Sequence, residues 1–292
     1  MLSSWLRAIR IRFLIASVIA VSNGLAIAYW KTDTIDPLYA AMTYVGVVFL
    51  HASVDLLNDY WDYKRGIDNV TTRTKFSGGT GVLPENLLSP KAVYSAGLIF
   101  LLLGASIGAY FVAVRGITIA VILGFAVVAI YFYSTSIVNA GLGELFVAIK
   151  GAMIVLGTFY VQSPSLEPAA MYVGAIVGIL SATVLFVNSF PDHDADRSKG
   201  RRTLVIVLGK KTATALYPAF MVAAYAMIVV GIFFGFTKFY SLIGLASIPF
   251  AIKSVVLLRK DHESIEKMVP AMSSAVTYSR ITGFLLAIGL IL

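Results

Sequence analysis

Nine apolar stretches recur along the chain, near residues 13–31, 38–57, 91–113, 116–133, 142–161, 169–191, 214–236, 239–258 and 271–291. Each is long enough to cross a hydrocarbon core of roughly 30 Å. Lipid cannot satisfy backbone N–H and C=O groups, so segments of this length cross it as helices. The expected fold is all-α: a polytopic membrane protein with nine transmembrane helices around a central cavity. Charged residues make up only 13% of the sequence, about half of what a soluble domain carries. The run after the basic segment Met1 to Arg12 exceeds the apolar core of a signal peptide and reads as the first span. The seventh and eighth spans are separated only by Thr237 and Lys238.

The formal charge of +8 would suggest nucleic acid in a soluble protein, but here it first reports topology. Alternating the spans puts 18 Lys and Arg on the side of the N-terminus and 3 opposite, with Lys150 and Arg280 inside spans. The bias predicts a cell-membrane protein with a cytoplasmic N-terminus and both long charged loops on that same side. No nucleic-acid partner is expected, and the sequence sets no oligomeric state. Cysteine is absent, which excludes disulfides and thiolate metal sites. A metal would have to sit on oxygen or on one of three imidazoles, His51, His193 and His262.

The two charged loops share a pattern. Asn58-x-x-x-Asp62 is followed by Lys64, Arg65 and Gly66, and Asn188-x-x-x-Asp192-x-x-x-Asp196 by Arg197, Lys199 and Gly200. The single domain, 1–292, thus reads as two related four-helix halves, roughly 1–135 and 136–260, plus a ninth helix at 271–291. Parallel repeats would bring the two loops together over one cavity.

Seven of the 15 acidic residues lie in these segments: Asp55, Asp59, Asp62, Asp68, Asp192, Asp194 and Asp196. On a helix, Asn58 and Asp62 share a face, as do Asn188, Asp192 and Asp196, so each stripe aims oxygen ligands at one point. Mg²⁺ takes one or two carboxylates together with substrate phosphate oxygens and water. The candidate metal ligands are Asn58, Asp62, Asp68, Asn188, Asp192 and Asp196, holding two Mg²⁺ ions with a diphosphate between them. Lys64, Arg65, Arg197, Lys199, Arg201 and Arg202 are the candidate phosphate-binding cations. A solvated charged loop accounts for either cluster alone but poorly for the pair.

Other residues are less specific. His51, Asp55, Asn58 and Asp62 form a polar stripe up the second helix, in which His51 reads first as a packing residue. Lys150 lies about 12 Å into the fifth helix, where it could meet an acceptor or a phosphate, or pair structurally. Arg10 or Arg12 could close over a diphosphate. Tyr131 and Tyr133 end the fourth span, at a belt position or beside a developing cation. Phe76-Ser77-Gly78-Gly79-Thr80-Gly81-Val82 is a lid or a flexible linker; no Gly-Lys-Ser/Thr follows, so it is not a P-loop.

At these residues the chain resembles the UbiA superfamily of intramembrane prenyltransferases. The resemblance spans Arg7-Ala8-Ile9-Arg10, the Asn58-Asp59-x-x-Asp62 signature through Asp68, and Asp192 to Asp196. Gly141-Leu142-Gly143-Glu144-Leu145-Phe146-Val147 and Asp196-Arg197-x-Lys199-Gly200-x-x-Thr203-Leu204 are similar to the menaquinone branch, which prenylates 1,4-dihydroxy-2-naphthoate. The resemblance implies a nine-helix, Mg²⁺-dependent enzyme that transfers a prenyl group from a polyprenyl diphosphate to a small aromatic or lipid acceptor, with release of pyrophosphate. By matching position, Asn58, Asp62, Asp68, Asp192 and Asp196 would be the catalytic Mg²⁺ and diphosphate set and Arg10 a diphosphate contact; Tyr133 is the candidate catalytic aromatic by its own place at the end of the fourth span. Two departures bear on the acceptor: no basic residue follows Tyr133 before the fifth helix, and Pro191-Asp192-His193-Asp194 replaces an Asn/Arg-rich lead-in. The rival branch prenylates geranylgeranylglyceryl phosphate in archaeal ether-lipid synthesis. A secondary transporter is the rival from another class, since intramembrane carboxylates and repeats also mark ion pathways.

Overall fold

A computed structural model describes residues 1–292, and every regular element in it is helical. A short surface helix α1 (Leu2–Ala8) precedes the spans α2 (Leu14–Thr32), α3 (Pro37–Lys64), α4 (Pro90–Arg115), α5 (Ile117–Phe132), α6 (Gly143–Gln162) and α7 (Pro168–Asn188). Two short helices, α8 (His193–Ser198) and α9 (Leu204–Leu208), lead to α10 (Lys210–Phe233), α11 (Ile248–Asp261) and α12 (Ile265–Ile291). A 3₁₀ segment, Phe239–Ser247, completes the α11 span. Nine helical segments are long and apolar enough to cross a membrane, as expected.

Helix entries follow from local chemistry. Asp36 accepts from Tyr39 N–H ahead of Pro37, and Ser89 accepts from Ala92 N–H ahead of Pro90. Each joins a side-chain N-cap to a proline whose missing N–H costs nothing in the first turn. Among the places where the boundaries depart from the sequence expectation, three bear on the site, while α10 and α12 start four and six residues earlier than expected. α3 runs on to Lys64 rather than ending near residue 57, so Asn58, Asp59 and Asp62 belong to the spanning helix and not to a loop. α7 stops at Asn188, because Pro191 cannot donate to a carbonyl one turn back. The fourth span extends past Tyr133 through a π-turn, Tyr133–Ile137, and a 3₁₀ turn, Val138–Ala140.

Consecutive spans touch all the way round and α12 returns to α2, so the nine form a closed ring in which the ninth helix is an integral wall. α2 also crosses the ring to meet α6 and α7. This divides the interior. One side is a solid core of α2, α6, α7, α10 and α12, containing Ile27, Phe159, Ile176, Phe186, Tyr217 and Tyr278. The other side is hollow, with a cavity of about 420 Å³ walled by α2 to α7 and α12, within the usual size of a small-molecule site. Apolar side chains such as Ile99 and Leu102 on α4 and Ile117 and Val121 on α5 face outward, as lipid contact requires.

The α6–α7 seam is the tightest helix contact. A Cβ at Gly178 would lie 2.2 Å from the Ala148 carbonyl oxygen, and one at Gly174 2.9 Å from that of Ala152. Gly174 and Gly178 are four residues apart, so one face of α7 is flat enough for backbones to meet, the arrangement that holds helices together where lipid removes the hydrophobic driving force.

Candidate active site

Both acidic segments end in the same backbone device. After α3, Gly66 has φ +71°, its N–H donates to Tyr63 O, and Ile67 N–H donates to Asp62 O. After α8, Gly200 has φ +79°, its N–H donates to Arg197 O, and Arg201 N–H donates to Asp196 O. Each is a Schellman cap, which needs a left-handed residue that glycine supplies without strain. The basic-Gly sequence shared by the two loops is thus a pair of helix ends. It places Asp62 and Asp196 at equivalent cap positions. It also explains Lys64, Arg197 and Lys199: they sit on the last turn or the cap, where the helix dipole favours cations, and all three are exposed.

The caps turn the two acids toward each other. Arg201, buried just past the second cap, donates to Asp196 Oδ1 at 3.2 Å and to Asp62 Oδ1, so one guanidinium joins the two segments. Asn58 Nδ2 donates to Asp62 Oδ2 at 2.9 Å, while Asn58 Oδ1 accepts from Ser134 in the π-turn at 2.9 Å; π-turns inside helices often mark functional sites. Asn58 and Asp62 therefore share a face, as expected. The second stripe is not one helical face, because the chain breaks between Asn188 and Asp192, yet Asn188, Asp192 and Asp196 all line the cavity.

The loop over the mouth belongs to the site. Ser77, Gly78 and Gly79 line the cavity, and Gly78 N–H donates to Asp192 Oδ2 at 3.2 Å. Gly79 has φ +72°, and a Cβ there would come within 2.7 Å of Asp68 Oδ1. Asp68 is buried behind this glycine and does not line the cavity. Burial pushes the Asp68 carboxyl up to about 8 and Asp192 up to about 7, and raises Asp196 as well; in each case loss of solvent disfavours the charged form.

Arg10 is the basic residue that the N-terminal segment delivers. It stands between α1 and α2 with φ +46°, an uncommon conformation for a non-glycine residue. Its guanidinium donates to Asp59 at 2.7 Å and lines the cavity. Asp59 also accepts from Thr80, so this carboxylate fixes both Arg10 and the roof loop. Sequence reasoning gave Asp59 no role; its place beside Asn58 in the signature was the available signal. Arg12 lies outside, where its carbonyl accepts from Arg280.

The remaining candidates divide by position. Tyr133 lines the cavity and Tyr131 does not. Arg65 donates to Thr135 O and to Asn139 Oδ1 at 2.9 and 3.0 Å, bringing a cation in space to the segment after Tyr133 that lacks one in sequence. Lys64, Arg197, Lys199 and Arg202 are exposed and off the cavity wall, so Arg10 and Arg201, not the whole basic set, reach its mouth.

The donor set suits a hard cation in part. Asn188 Oδ1 and Asp192 Oδ1 are buried with no hydrogen-bond partner. They are oxygens of the type Mg²⁺ takes, beside Asp62 and Asp196. No three His, Cys or acidic residues converge on one protein-only metal shell, because Arg201 stands between Asp62 and Asp196. The arrangement fits a cation completed by oxygens of a bound anion.

The UbiA prenyltransferase family matches residues 17–275. A 1,4-dihydroxy-2-naphthoate octaprenyltransferase of Bacillus subtilis is 28% identical over 96% of this chain and 89% of its own length. Among solved structures, the apo form of a UbiA homolog from Aeropyrum pernix superposes with a TM-score of 0.70 at 17% identity, covering 95% of this chain and 98% of that one. A UbiA homolog from Archaeoglobus fulgidus bound to DMAPP and Mg²⁺ superposes with a TM-score of 0.69 at 12% identity, covering 99% of both chains. The transporter reading falls away with these matches. A ring of nine spans, two capped acidic helix ends joined across its mouth and a family match over most of the length lead to one conclusion: the chain belongs to the UbiA prenyltransferase family and is a multi-pass membrane prenyltransferase.

Proposed function

We propose that the protein transfers a prenyl group from a polyprenyl diphosphate to a ring carbon of an aromatic acceptor of the 1,4-dihydroxy-2-naphthoate type, releasing pyrophosphate and the proton or CO₂ that this carbon gives up, with Mg²⁺ at the two acidic helix ends. The observation that carries this reading is the juxtaposition of Asp62 with Asp196 at the mouth of an apolar chamber, beside the unpartnered oxygens of Asn188 and Asp192. The acceptor class rests on the full-length likeness to the naphthoate octaprenyltransferase, which leaves the ether-lipid acceptor less favoured.

In this reading Asn58, Asp62, Asn188, Asp192 and Asp196 form the metal and diphosphate set on the cavity wall, with two ions, while Asp68, expected in that set, backs the roof loop behind Gly79. Mg²⁺ held by these oxygens would supply the positive charge that a departing pyrophosphate needs. Arg10 and Arg201 supply fixed positive charge to the same oxygens, and Arg65 stands behind the π-turn. The roof loop excludes water, which would quench an allylic cation. Tyr133, held at the cavity wall, offers a π-face to that cation and is not a nucleophile. The prenyl tail lies in the apolar chamber below, lined by Ile107, Phe111, Ile119 and Ile122. The positive-inside count supports a cytoplasmic N-terminus and mouth.

The test is pyrophosphate release by protein in nanodiscs, with Mg²⁺, geranylgeranyl diphosphate and a panel of dihydroxynaphthoate, 4-hydroxybenzoate and geranylgeranylglyceryl phosphate. Turnover of the first, lost in Asp62→Ala and Asp192→Ala, is the expected result. Full activity in either variant, or turnover of the glyceryl phosphate alone, would overturn the reading.

A further inference from the structure

Below the mouth lies a second polar layer that the diphosphate chemistry leaves unused. Asp55 is seven residues before Asp62 on α3, and Lys150 is seven residues past the start of α6. The two helices run in opposite directions across the ring, so both residues lie about 10 Å below the acidic mouth. His51 stands one turn deeper on α3 and shares a 2.7 Å hydrogen bond with Ser17 on α2. His51 Nε2 is 3.7 Å from Asp55 Oδ2, an oxygen that is buried and accepts no hydrogen bond. All four residues line the cavity.

The cations on that wall can be sorted by partner. Arg10 is paired with Asp59, Arg201 with Asp62 and Asp196, and Arg280 is held by the Arg12 carbonyl. Of these four cations only Lys150 takes no part in such an ion pair or hydrogen bond. This ammonium shares the cavity wall with Phe146, Met153 and Ile154, and its one nearby counter-charge, Asp55, stands beyond ion-pair distance, so it is incompletely compensated at this depth. Nor does a prenyl tail have any use for an ammonium, a carboxylate and an imidazole. The other substrate does.

We infer that Lys150, Asp55 and His51 form the acceptor headgroup site: Lys150 Nζ donates to an acidic oxygen on the acceptor ring, and Asp55 with His51 receives its hydroxyl. The acceptor is then an aromatic hydroxy acid, held with its acid group facing away from the diphosphate and a ring carbon facing the allylic carbon. Lys150 is a positioning and selectivity residue. This inference rests on the aromatic-acceptor reading above.

The experiment compares 1,4-dihydroxy-2-naphthoate with 1,4-dihydroxynaphthalene, which lacks the carboxylate, in the wild type, Lys150→Met, Lys150→Gln and Lys150→Arg. The wild type should favour the acid in kcat/KM, and Lys150→Met should remove that preference by raising KM for the acid about tenfold to a hundredfold, as expected for one charge-assisted contact. Lys150→Arg should keep the preference in part, and Lys150→Gln serves if the apolar variant does not fold. Binding of geranylgeranyl diphosphate, measured separately by displacement, should stay within about twofold of the wild type. A preference for the acid that survives in Lys150→Met or Lys150→Gln, or an equal loss on both acceptors with weakened diphosphate binding, would overturn the Lys150 assignment and leave the family reaction standing. A wild type that binds prenyl diphosphate yet prenylates neither ring would overturn the acceptor class and the assignment together.

Discussion

Arg201 holds the site in one piece, and replacing it by methionine has a calculable effect. The side chain is 9% exposed and each of its carboxylate partners 6%, so Arg201→Met strands two buried anions. Breaking a buried pair by removing one partner costs about 3–5 kcal/mol. At roughly 2–4 °C per kcal/mol, the variant in detergent with EDTA should melt roughly 6–20 °C below the wild type. A divalent cation that binds the same oxygens can return part of this. At a hundred times its Kd it contributes about 2.7 kcal/mol, so saturating Mg²⁺ should close about half the gap or more. The wild type should gain less, because its guanidinium already compensates the acids. Arg201→Lys should fall between the two, since a point charge on one stem cannot serve both carboxylates as the fork does. Thermal unfolding followed by intrinsic fluorescence, with EDTA or Mg²⁺, reads all three. Equal melting of Arg201→Met and wild type in EDTA, or a Mg²⁺ gain as large in the wild type as in the variant, would refute the reasoning.

Stability without metal should also depend on pH in a stated direction. Asp68 and Asp192 titrate near 8 and 7 in the fold against about 3.9 in the unfolded chain, so the folded state holds the extra protons. Their contribution is full below about pH 4 and declines as pH rises through 7 to 8, by up to about 1.4 kcal/mol per pH unit for each; melting in EDTA should fall from pH 5 to pH 7.5, and a flat or rising curve would contradict the burial of these groups. Asp59→Asn weakens the anchor of both Arg10 and the roof loop and should cost about 1.5–3 kcal/mol, together with a raised KM for prenyl diphosphate; steady-state kinetics showing unchanged KM would remove Asp59 from the site. Gly178→Ala drives a methyl into the Ala148 carbonyl and should destabilise by about 1–3 kcal/mol, visible as a lower melting temperature. An unshifted melt would mean that the α6–α7 seam yields.

The spans and the two acidic segments were legible because both signals are local: a run of apolar residues of fixed length, and an Asn/Asp spacing of four. What the sequence hid is directional. Arg197, Lys199, Arg201 and Arg202 form one basic run, and nothing in its composition says that Arg201 alone turns inward. That choice is made by Gly200, whose left-handed φ ends α8 and reverses the chain. Asp59 looked like a spare member of its signature because its partners, Arg10 and Thr80, come from an N-terminal turn and a glycine-rich loop. Its role exists only once these meet. Pro191 was visible as a helix breaker, yet the run of apolar residues up to it masked the break. The Asp55–His51–Lys150 cluster was seen as separate polar residues on two helices, and only the antiparallel course of α3 and α6 puts Lys150 at the depth of Asp55, with His51 one turn below.

The Arg201 bridge also bears on how such a chain is made. Asp59 receives its counter-charge from Arg10, 49 residues earlier, so that pair is complete as soon as α3 enters the bilayer. Asp62 must wait for a guanidinium 139 residues downstream. Throughout synthesis of the intervening spans, the first half carries an unanswered acid at the end of a membrane helix. The contact that closes the candidate site thus joins an early span to a late one, and a chain that stops before Arg201 leaves the Asp62 carboxylate without its guanidinium partner.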